Sequence, residues 1–351
     1  MLHARNLIVR YGWNAMSYQI LNPGIRHWFS ENRDAVIGYV DAYGFRVVAG
    51  APVCDPSELP GVIGRFQQDT VGRGRRVCYF GAHERIETIM KESGPVATLL
   101  LGSQPVWHPG NWISRVSAKA SLRAQFYRAK NKGVTVTLWD SNVVAGNADL
   151  ERCLREWLDT RGLPPMHFLV EPDTLARLYD RRVYVAEQGG KSVGFIVASP
   201  VPLRNGWLIE QIIRGANAPN GTAELMLDTA MRDLAESDAE YVTLGLSPLS
   251  VRSGIAQVPL PVWINALLRG VRILGSRFYN FDGLDSFKSK FLPERWEPIY
   301  AISNEARITP RTLYAIAGAF CGTSPISFLL RASGREVRRG LSGLPRKPAS
   351  D

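Results

Sequence analysis

The sequence predicts an α/β protein in which α+β layers flank mixed central sheets and one fold occurs in two tandem copies. Three observations lead there. A length of 351 residues suits two domains, each large enough to bury its own core. A hydrophobic share of 45% against a charged share of 21% is the balance of a chain that folds. Short apolar runs alternate with amphipathic ones, and the order of strands and helix in the first half is echoed in the second, although no sequence repeat is visible. The expected divisions are a first domain at 1–140, a second at 141–305, and a basic, apolar helical tail at 306–351.

In the first half, 35–40 and 45–49 are apolar runs joined at Tyr43-Gly44, the pattern of a hairpin. Leu59, Ile63 and Phe66 have helical spacing within 56–72; 77–80 reads as a strand, 84–92 as a helix and 96–101 as a strand. Gly72-Arg73-Gly74-Arg75 reads as a basic loop before the first of those strands. The segment 117–132 opens at Ser117, a capping residue type, and closes at Gly133. It contains Lys119, Arg123, Arg128, Lys130 and Lys132 with no acid among them. Like charges a turn apart repel, so a helix of this composition needs an anionic partner.

The second half begins near Ala148, with Leu150, Leu154, Trp157 and Leu158 at helical spacing. A hairpin through Gly189-Gly190 joins 183–186 to 193–197, and 206–213 makes another strand. Pro219-Asn220-Gly221 forms a turn. Thr222 then caps a helix whose apolar residues Ala223, Met226, Leu227, Ala230, Met231 and Leu234 fall on one stripe. A strand over 241–246 follows. The run 313–330 carries no charge, but Gly318, Gly322 and Pro325 interrupt it, and its length only just reaches a spanning helix. It reads as two short helices packed on the protein or lying in a lipid interface.

A formal net charge of +10 and a sequence pI near 9.6 favour nucleic acid, anionic lipid or another polyanion as partner. Cys54, Cys78, Cys153 and Cys321 are far apart with no C-x-x-C pair, which argues against a disulfide framework and a zinc cluster and for a reducing compartment. His3, His27, His83, His108 and His167 lack ligand spacing, so no metal site is expected. The start, Met1-Leu2-His3-Ala4-Arg5, has no secretory pattern, and cytosolic function is expected. The P-loop, nucleophile-elbow, zinc-protease and dinucleotide-binding motifs are absent.

Glu210-Gln211-Ile212-Ile213-Arg214 closes a strand, and the polar turn with Asn217 and Asn220 leads to Glu224 at a helix start. A polar cluster at a strand end facing a helix N-terminus is where an α/β fold gathers a phosphate or a carbonyl oxygen. Strand alternation puts Glu210 and Ile212 on one face and Gln211 and Ile213 on the other. Downstream, 244–250 and 278–300 are dense in residues of restricted geometry, and Lys288 and Lys290 alternate with aromatic residues. An aromatic, cationic wall suits a phosphate-bearing ligand with an apolar body.

These segments resemble the catalytic domain of bacterial phosphatidylglycerol lysyltransferases and alanyltransferases, the multiple peptide resistance factors, over roughly 11–302. The resemblance rests on Arg214 with Ala218-Pro219-Asn220-Gly221 and on Leu244-Gly245-Leu246-Ser247-Pro248-Leu249-Ser250. It rests also on Tyr279-Asn280-Phe281-Asp282-Gly283-Leu284, Phe287-Lys288-Ser289-Lys290-Phe291 and Trp296-Glu297-Pro298-Ile299-Tyr300. Weaker pieces are Gly50-Ala51-Pro52-Val53 and Leu122-Arg123 with Arg128-Ala129-Lys130-Asn131-Lys132-Gly133.

The resemblance implies two tandem acetyltransferase-like (GNAT) domains, aminoacyl-tRNA as donor, an anionic phospholipid as acceptor and no cofactor. Glu210 or Glu224 would act as base or recognise the amino acid's ammonium, and Arg214 would hold a phosphate or the developing oxyanion. Lys288 and Lys290 would bind the lipid phosphate, with Asn220 and Ser247 in the same substrate-binding set. Gln211 stands where the family typically has an aspartate, three residues before the arginine matching Arg214, so the carboxylate would come from Glu210 or Glu224. The cations of 119–132 and those of the tail (Arg331, Arg335, Arg338, Arg339, Arg346, Lys347) would meet tRNA or anionic lipid, peripherally, at the inner membrane face. Family members usually carry an integral-membrane flippase ahead of this region; this sequence has none, so the resemblance extends to aminoacyl transfer and not to export. Three alternatives stay open. One is the same donor with another lipid or a soluble acceptor. The second is an acyl-CoA-dependent N-acyltransferase, although the loop after Arg214 lacks the closely spaced glycines that cradle a pyrophosphate. The third is a non-enzymatic tRNA- or lipid-binding module.

Overall fold

The structure, a computed structural model, describes residues 1–160, 166–255, 281–328 and 331; among them twelve strands join into one sheet. The first half supplies β1 (Arg26–Phe29), β2 (Val36–Ala42), β3 (Phe45–Ala49), β4 (Arg76–Ala82) and β5 (Ala97–Trp107). The second supplies β6 (Val134–Trp139), β7 (Arg182–Gln188), β8 (Lys191–Val201), β9 (Gly206–Arg214), β10 (Tyr241–Thr243), β11 (Ser247–Pro248) and β12 (Arg295–Ser303). Across the sheet the order is β1-β2-β3-β4-β12-β5-β10-β9-β8-β7-β6, with β11 beside β5. Neighbours are antiparallel except β3 with β4 and β9 with β10, so the sheet is mixed, as the α/β expectation required.

Each parallel pair is closed by a crossover helix, as parallel strands demand. α2 (Leu59–Gly72) connects β3 to β4, and α8 (Thr222–Glu236) connects β9 to β10. Hairpin, crossover helix and parallel strand thus recur in both halves. α1 (Leu2–Tyr11) precedes β1; α3 (Glu84–Lys91), α4 (Trp112–Ser117), α5 (Ala120–Lys130), α6 (Ser141–Val144) and α7 (Ala148–Asp159) lie between the crossovers, and α9 (Phe281–Ser289) and α10 (Pro310–Cys321) follow. Ile63, Phe66, Ile86 and Tyr79 form the core under α2 and α3, while Ala4, Ile8, Phe80 and Ala315 form one with α1 and α10. Leu122, Phe126, Met226 and Ala230 pack α5 and α8 over Ile196 and Ile209.

One sheet takes strands from both sides of 140/141, and its last strand ends at Ser303, before 305/306. β12 lies between β4 and β5, and β6 is hydrogen-bonded to β7. Smaller departures have local causes. Ser117 ends α4 and donates to Ile113 O at 2.7 Å, so it does not cap the basic helix, which starts at Ala120 behind Lys119. Gly221, left-handed at φ 95°, and not Thr222, is the cap residue of α8. β10 stops at Thr243 because Gly245 turns the chain at φ 68°.

The uncharged run 313–330 is a helix on the protein over its first part. Thr309 and Thr312 form a capping box at the start of α10, Gly322 ends it at φ 61°, and Ala315, Ile316 and Ala319 are buried. Among the described residues no helix is long and apolar enough to cross a membrane. Leu329, Leu330 and the tail cations from Arg335 to Lys347 lie outside the described residues, whereas Arg331 is exposed.

Gly102 shows how tightly β5 is clasped. Its φ is 149°, and a Cβ there would collide with Ser247 O and lie 2.9 Å from Leu249 N, both backbone atoms that cannot swing aside. Gly102→Ala is expected to cost roughly 1–3 kcal/mol by pushing β11 off β5. An unchanged denaturation midpoint would show that β11 moves freely.

Candidate active site at the turn between β9 and α8

β9 ends at Arg214, opposite Gly194 of β8, and the chain turns through 215–221 into α8. Backbone bonds hold the turn. Gly215 N–H donates to Val193 O at 2.9 Å and Ala216 N–H to the Glu156 carboxylate at 2.7 Å; that bond, with Arg152, holds Glu156 below the usual carboxylate range. Thr222 Oγ1 donates to Pro219 O at 2.7 Å. A Cβ on Gly221 would collide with Gln125 O of α5, so the glycine lets α5 and α8 touch. Asn220 is exposed on the turn, and Arg214 is exposed with no partner for its guanidinium among the described residues.

Just before Arg214 the strand alternation breaks. Val197 of β8 pairs with Gln211 and Ala198 with Ile209, leaving Glu210 as the extra residue of a bulge. Glu210 and Gln211 therefore both reach the segment 171–181, contrary to the opposite faces expected from the sequence. The Glu210 carboxylate accepts from Arg181 Nε at 2.9 Å and Nη2 at 3.1 Å, with both side chains almost wholly buried. Burial works against the Arg181 charge, yet Glu210 raises its pKa above the ordinary value. Gln211 Nε2 donates to Glu171 O at 3.0 Å and Pro172 O at 2.9 Å, while its Oε1 accepts from Thr174 Oγ1 at 2.8 Å. An amide satisfies all three contacts; a carboxylate would leave both carbonyls without a donor.

Glu224 is buried in the first turn of α8. Its Oε1 accepts from Lys290 Nζ at 2.5 Å, and its Oε2 is buried with no hydrogen-bond partner among the described residues. The Lys290 ammonium lies 4.1 Å from the Phe287 ring centre, and Lys119 Nζ donates to Lys290 O at 3.0 Å. Lys288 goes elsewhere. It is buried and donates to Gly245 O and Leu246 O, both at 2.9 Å, and burial pushes its pKa down to about 7 against the pull of Asp285. The single cationic wall expected of the two lysines is therefore split between α8 and the 245–247 turn. Ser247 is buried opposite Ser103 of β5, and neither hydroxyl has a partner among the described residues. Phe278, Tyr279 and Asn280 lie outside the described residues.

α5 packs on α8 with its cations outward. Arg128 Nη1 donates to Gln125 Oε1 at 3.3 Å, Arg123 donates to Ser117 O, and Lys130 and Lys132 are exposed. Among the described residues none of Lys119, Arg123, Arg128, Lys130 and Lys132 forms an ion pair with a carboxylate, so the uncompensated charge expected from the sequence persists in the fold.

A second polar cluster escaped sequence reading. Glu297 of β12 accepts from Arg204 at 2.6 and 2.9 Å and from Gln104 Nε2 at 3.0 Å, with His83 3.6 Å away. Burial would raise the Glu297 pKa, but His83 and Arg204 hold it well below the carboxylate range; burial lowers that of His83. Gln104 also donates to Tyr241 OH at 3.0 Å. The participants sit on β5, β10, β12 and two loops, and no local motif links them.

The sequence profile of the family described as "Phosphatidylglycerol lysyltransferase, C-terminal" matches residues 5–303. The chain belongs to that family. This family member is an aminoacyltransferase acting on phospholipid. Its fold is similar to the C-terminal domain (DUF2156) of a lysylphosphatidylglycerol synthetase assigned in Agrobacterium fabrum, at TM-score 0.76 and 22% identity over 91% of this chain and 96% of that one. It is also similar to L-PGS from Bacillus licheniformis, at TM-score 0.75 and 20% identity over 95% and 96%. At such identities the likeness is one of fold. Among curated proteins, none matches the chain in sequence.

Two outcomes follow for this family member. Gln211→Glu, which puts a carboxylate in place of the amide, is expected to destabilise by about 1–3 kcal/mol, because the carbonyls of Glu171 and Pro172 lose their donor. A melting temperature equal to wild type would show that the amide is not a structural staple. Lys288 has a folded pKa near 7 against an ordinary 10.5, so between those values the unfolded chain binds a proton that the folded one does not. Stability contributed by this group therefore rises with pH across that window. Lys288→Met should flatten the rise in a series of urea midpoints; an unaltered slope would place the titration elsewhere.

Proposed function

We propose that this chain transfers an amino acid, lysine or alanine, from aminoacyl-tRNA to the glycerol hydroxyl of an anionic phospholipid such as phosphatidylglycerol, at the turn between β9 and α8. The observation that supports this most is the contact of α5 with that turn. Cations without a carboxylate partner among the described residues lie on a helix that Gly221 seats against the start of α8, directly after Arg214. A tRNA backbone on α5 would supply the missing anions. The recurring hairpin, crossover helix and parallel strand support reading the chain as two acetyltransferase-like units sharing one sheet.

Aminoacyl-tRNA is already an activated ester, so transfer needs positioning, a base and oxyanion stabilisation. The lipid hydroxyl oxygen bonds to the aminoacyl carbonyl carbon, the bond from that carbon to the ribose oxygen breaks, and the hydroxyl proton passes through the base to the departing ribose oxygen. In this scheme Glu224 is the base, because its Oε2 is buried and unbonded among the described residues, and Lys290 orients it. Glu210 is held by Arg181, and Gln211 has no basic oxygen, so neither takes that role. Arg214, free at the strand end, faces the developing oxyanion. Lys288 fixes the 245–246 backbone and with it Ser247, and Asn220 lines the turn. Contact with the membrane is peripheral and electrostatic, and no cofactor enters the scheme.

The stapled amide at 211 favours a second reading, with the same donor and another lipid or a soluble molecule as acceptor. Purified protein with a charged tRNA pool and phosphatidylglycerol vesicles should move amino acid into the lipid phase, and ribonuclease should stop it. Arg214→Ala should lose at least about a hundredfold in rate with an unchanged melting temperature, since an exposed strand-end arginine supports little of the core. Equal activity with acetyl-CoA and no tRNA would overturn the reading. Transfer to a soluble acceptor alone would select the second.

A further inference from the structure

The basic loop Gly72-Arg73-Gly74-Arg75 takes no part in the proposed transfer, and it borders a cavity of about 350 Å³ between β1 and the end of α2. The charged groups around the cavity are Arg26, Arg46, Arg73 and Arg75, with Asp41 and Asp69. The topology gathers them. Asp41 and Arg46 are directly opposite each other across β2 and β3, and Arg26 projects from the edge strand β1. Asp69 lies in the last turn of α2, and Gly74, left-handed at φ 68°, reverses the chain so that Arg73 and Arg75 flank the opening.

The carboxylates are shared. Asp69 accepts from Arg46 Nη1 at 2.6 Å and Arg73 Nε at 3.0 Å; Asp41 accepts from Arg26 Nη1 at 2.9 Å and stands 3.3 Å from Arg75. Four guanidinium groups thus face two carboxylates. His27, also in the lining, adds no charge at neutral pH, because burial lowers its pKa and its ring bonds to Ile20 O at 2.9 Å. Arg46 is 5% exposed and stacks over Tyr39 at 4.8 Å and Phe66 at 5.5 Å. Its Nε is buried with no hydrogen-bond acceptor among the described residues and stands 4.0 Å from Asp41 Oδ1.

A self-contained ion-pair network would balance its charges, as a buried or half-buried cation is costly without an anion. Here two positive charges remain in a concavity whose floor is a desolvated arginine. Guanidinium forks match phosphate oxygens in geometry and number, and the cavity has room for one such group. We propose that this cavity is a phosphate-binding site, taking the phosphate of a small ester or of a lipid headgroup. It is separate from the turn between β9 and α8 and independent of the function proposed there.

The full chain would be titrated by calorimetry with inorganic phosphate and with glycerol 3-phosphate at a constant ionic strength of about 0.15 M, where loose surface attraction is screened. In a parallel arm, sedimentation would measure its binding to phosphatidylglycerol vesicles. Arg73 and Arg75 are 64% and 39% exposed, so Arg73→Gln with Arg75→Gln should fold; Arg26→Gln, 69% exposed, tests the opposite wall. The expected result is saturable binding in one arm, weakened about tenfold in the double variant and measurably in Arg26→Gln. Binding of the soluble esters identifies a small ester as the source of the phosphate; binding of vesicles alone identifies the lipid. No saturable binding in either arm, or equal binding by wild type and variants, would overturn the proposal, whatever the outcome of the transfer assay.

Discussion

The rest of the molecule depends on the backbone pairing of residues 295–303. β12 is hydrogen-bonded along one edge to β5 and along the other to β4, so a strand from late in the chain closes the sheet between two early ones. Without it, β4 and β5 would each present an open edge of unpaired N–H and C=O groups. β5 in turn carries β10 and β11 on its other side, and β10 pairs with β9, whose end holds Arg214. The candidate site is therefore aligned by a chain of ladders that starts at β12. Glu297 lies near the start of that strand, and a half-buried carboxylate is tolerable there because Arg204, Arg295, Gln104 and His83 surround it.

The same requirement for satisfied polar groups separates scaffold from chemistry at the turn between β9 and α8. Glu210 with Arg181, Gln211 with the carbonyls of Glu171 and Pro172, and Lys288 with Gly245 and Leu246 are closed arrangements that use up their donors and acceptors. What stays open is different in kind. Arg214 has no partner among the described residues, Glu224 keeps one buried oxygen unbonded, and the cations of α5 have no carboxylate. Of these only the Glu224 oxygen is a buried orphan; the exposed cations are hydrated and available to an anion. The amide at 211 then has a physical meaning: it is a staple between β9 and the 171–174 segment, a job that an aspartate would do poorly.

The sequence by itself determined the features that hairpin turns and helical periodicity set, though not the caps at Lys119 and Gly221. Glycine turns between apolar runs placed the hairpins at Tyr43-Gly44 and Gly189-Gly190, and helical spacing from Ala223 to Leu234 placed α8. The absence of acids from 117–132 announced an uncompensated helix, and the ordered motifs from Arg214 to Tyr300 pointed to the family. Tertiary structure decided the rest. A single bulged residue turned Glu210 from a candidate base into the partner of Arg181, and the fall of the chain after Thr243 drew Lys288 under two carbonyls while Lys290 reached Glu224. Gln104 and Glu297 touch across 193 positions of sequence, and Arg181 and Glu210 across 29. Periodicity reports which face of one element is apolar, but it contains no term for which distant strand lies alongside or which residue a register shift leaves over; those depend on pairing between separate elements.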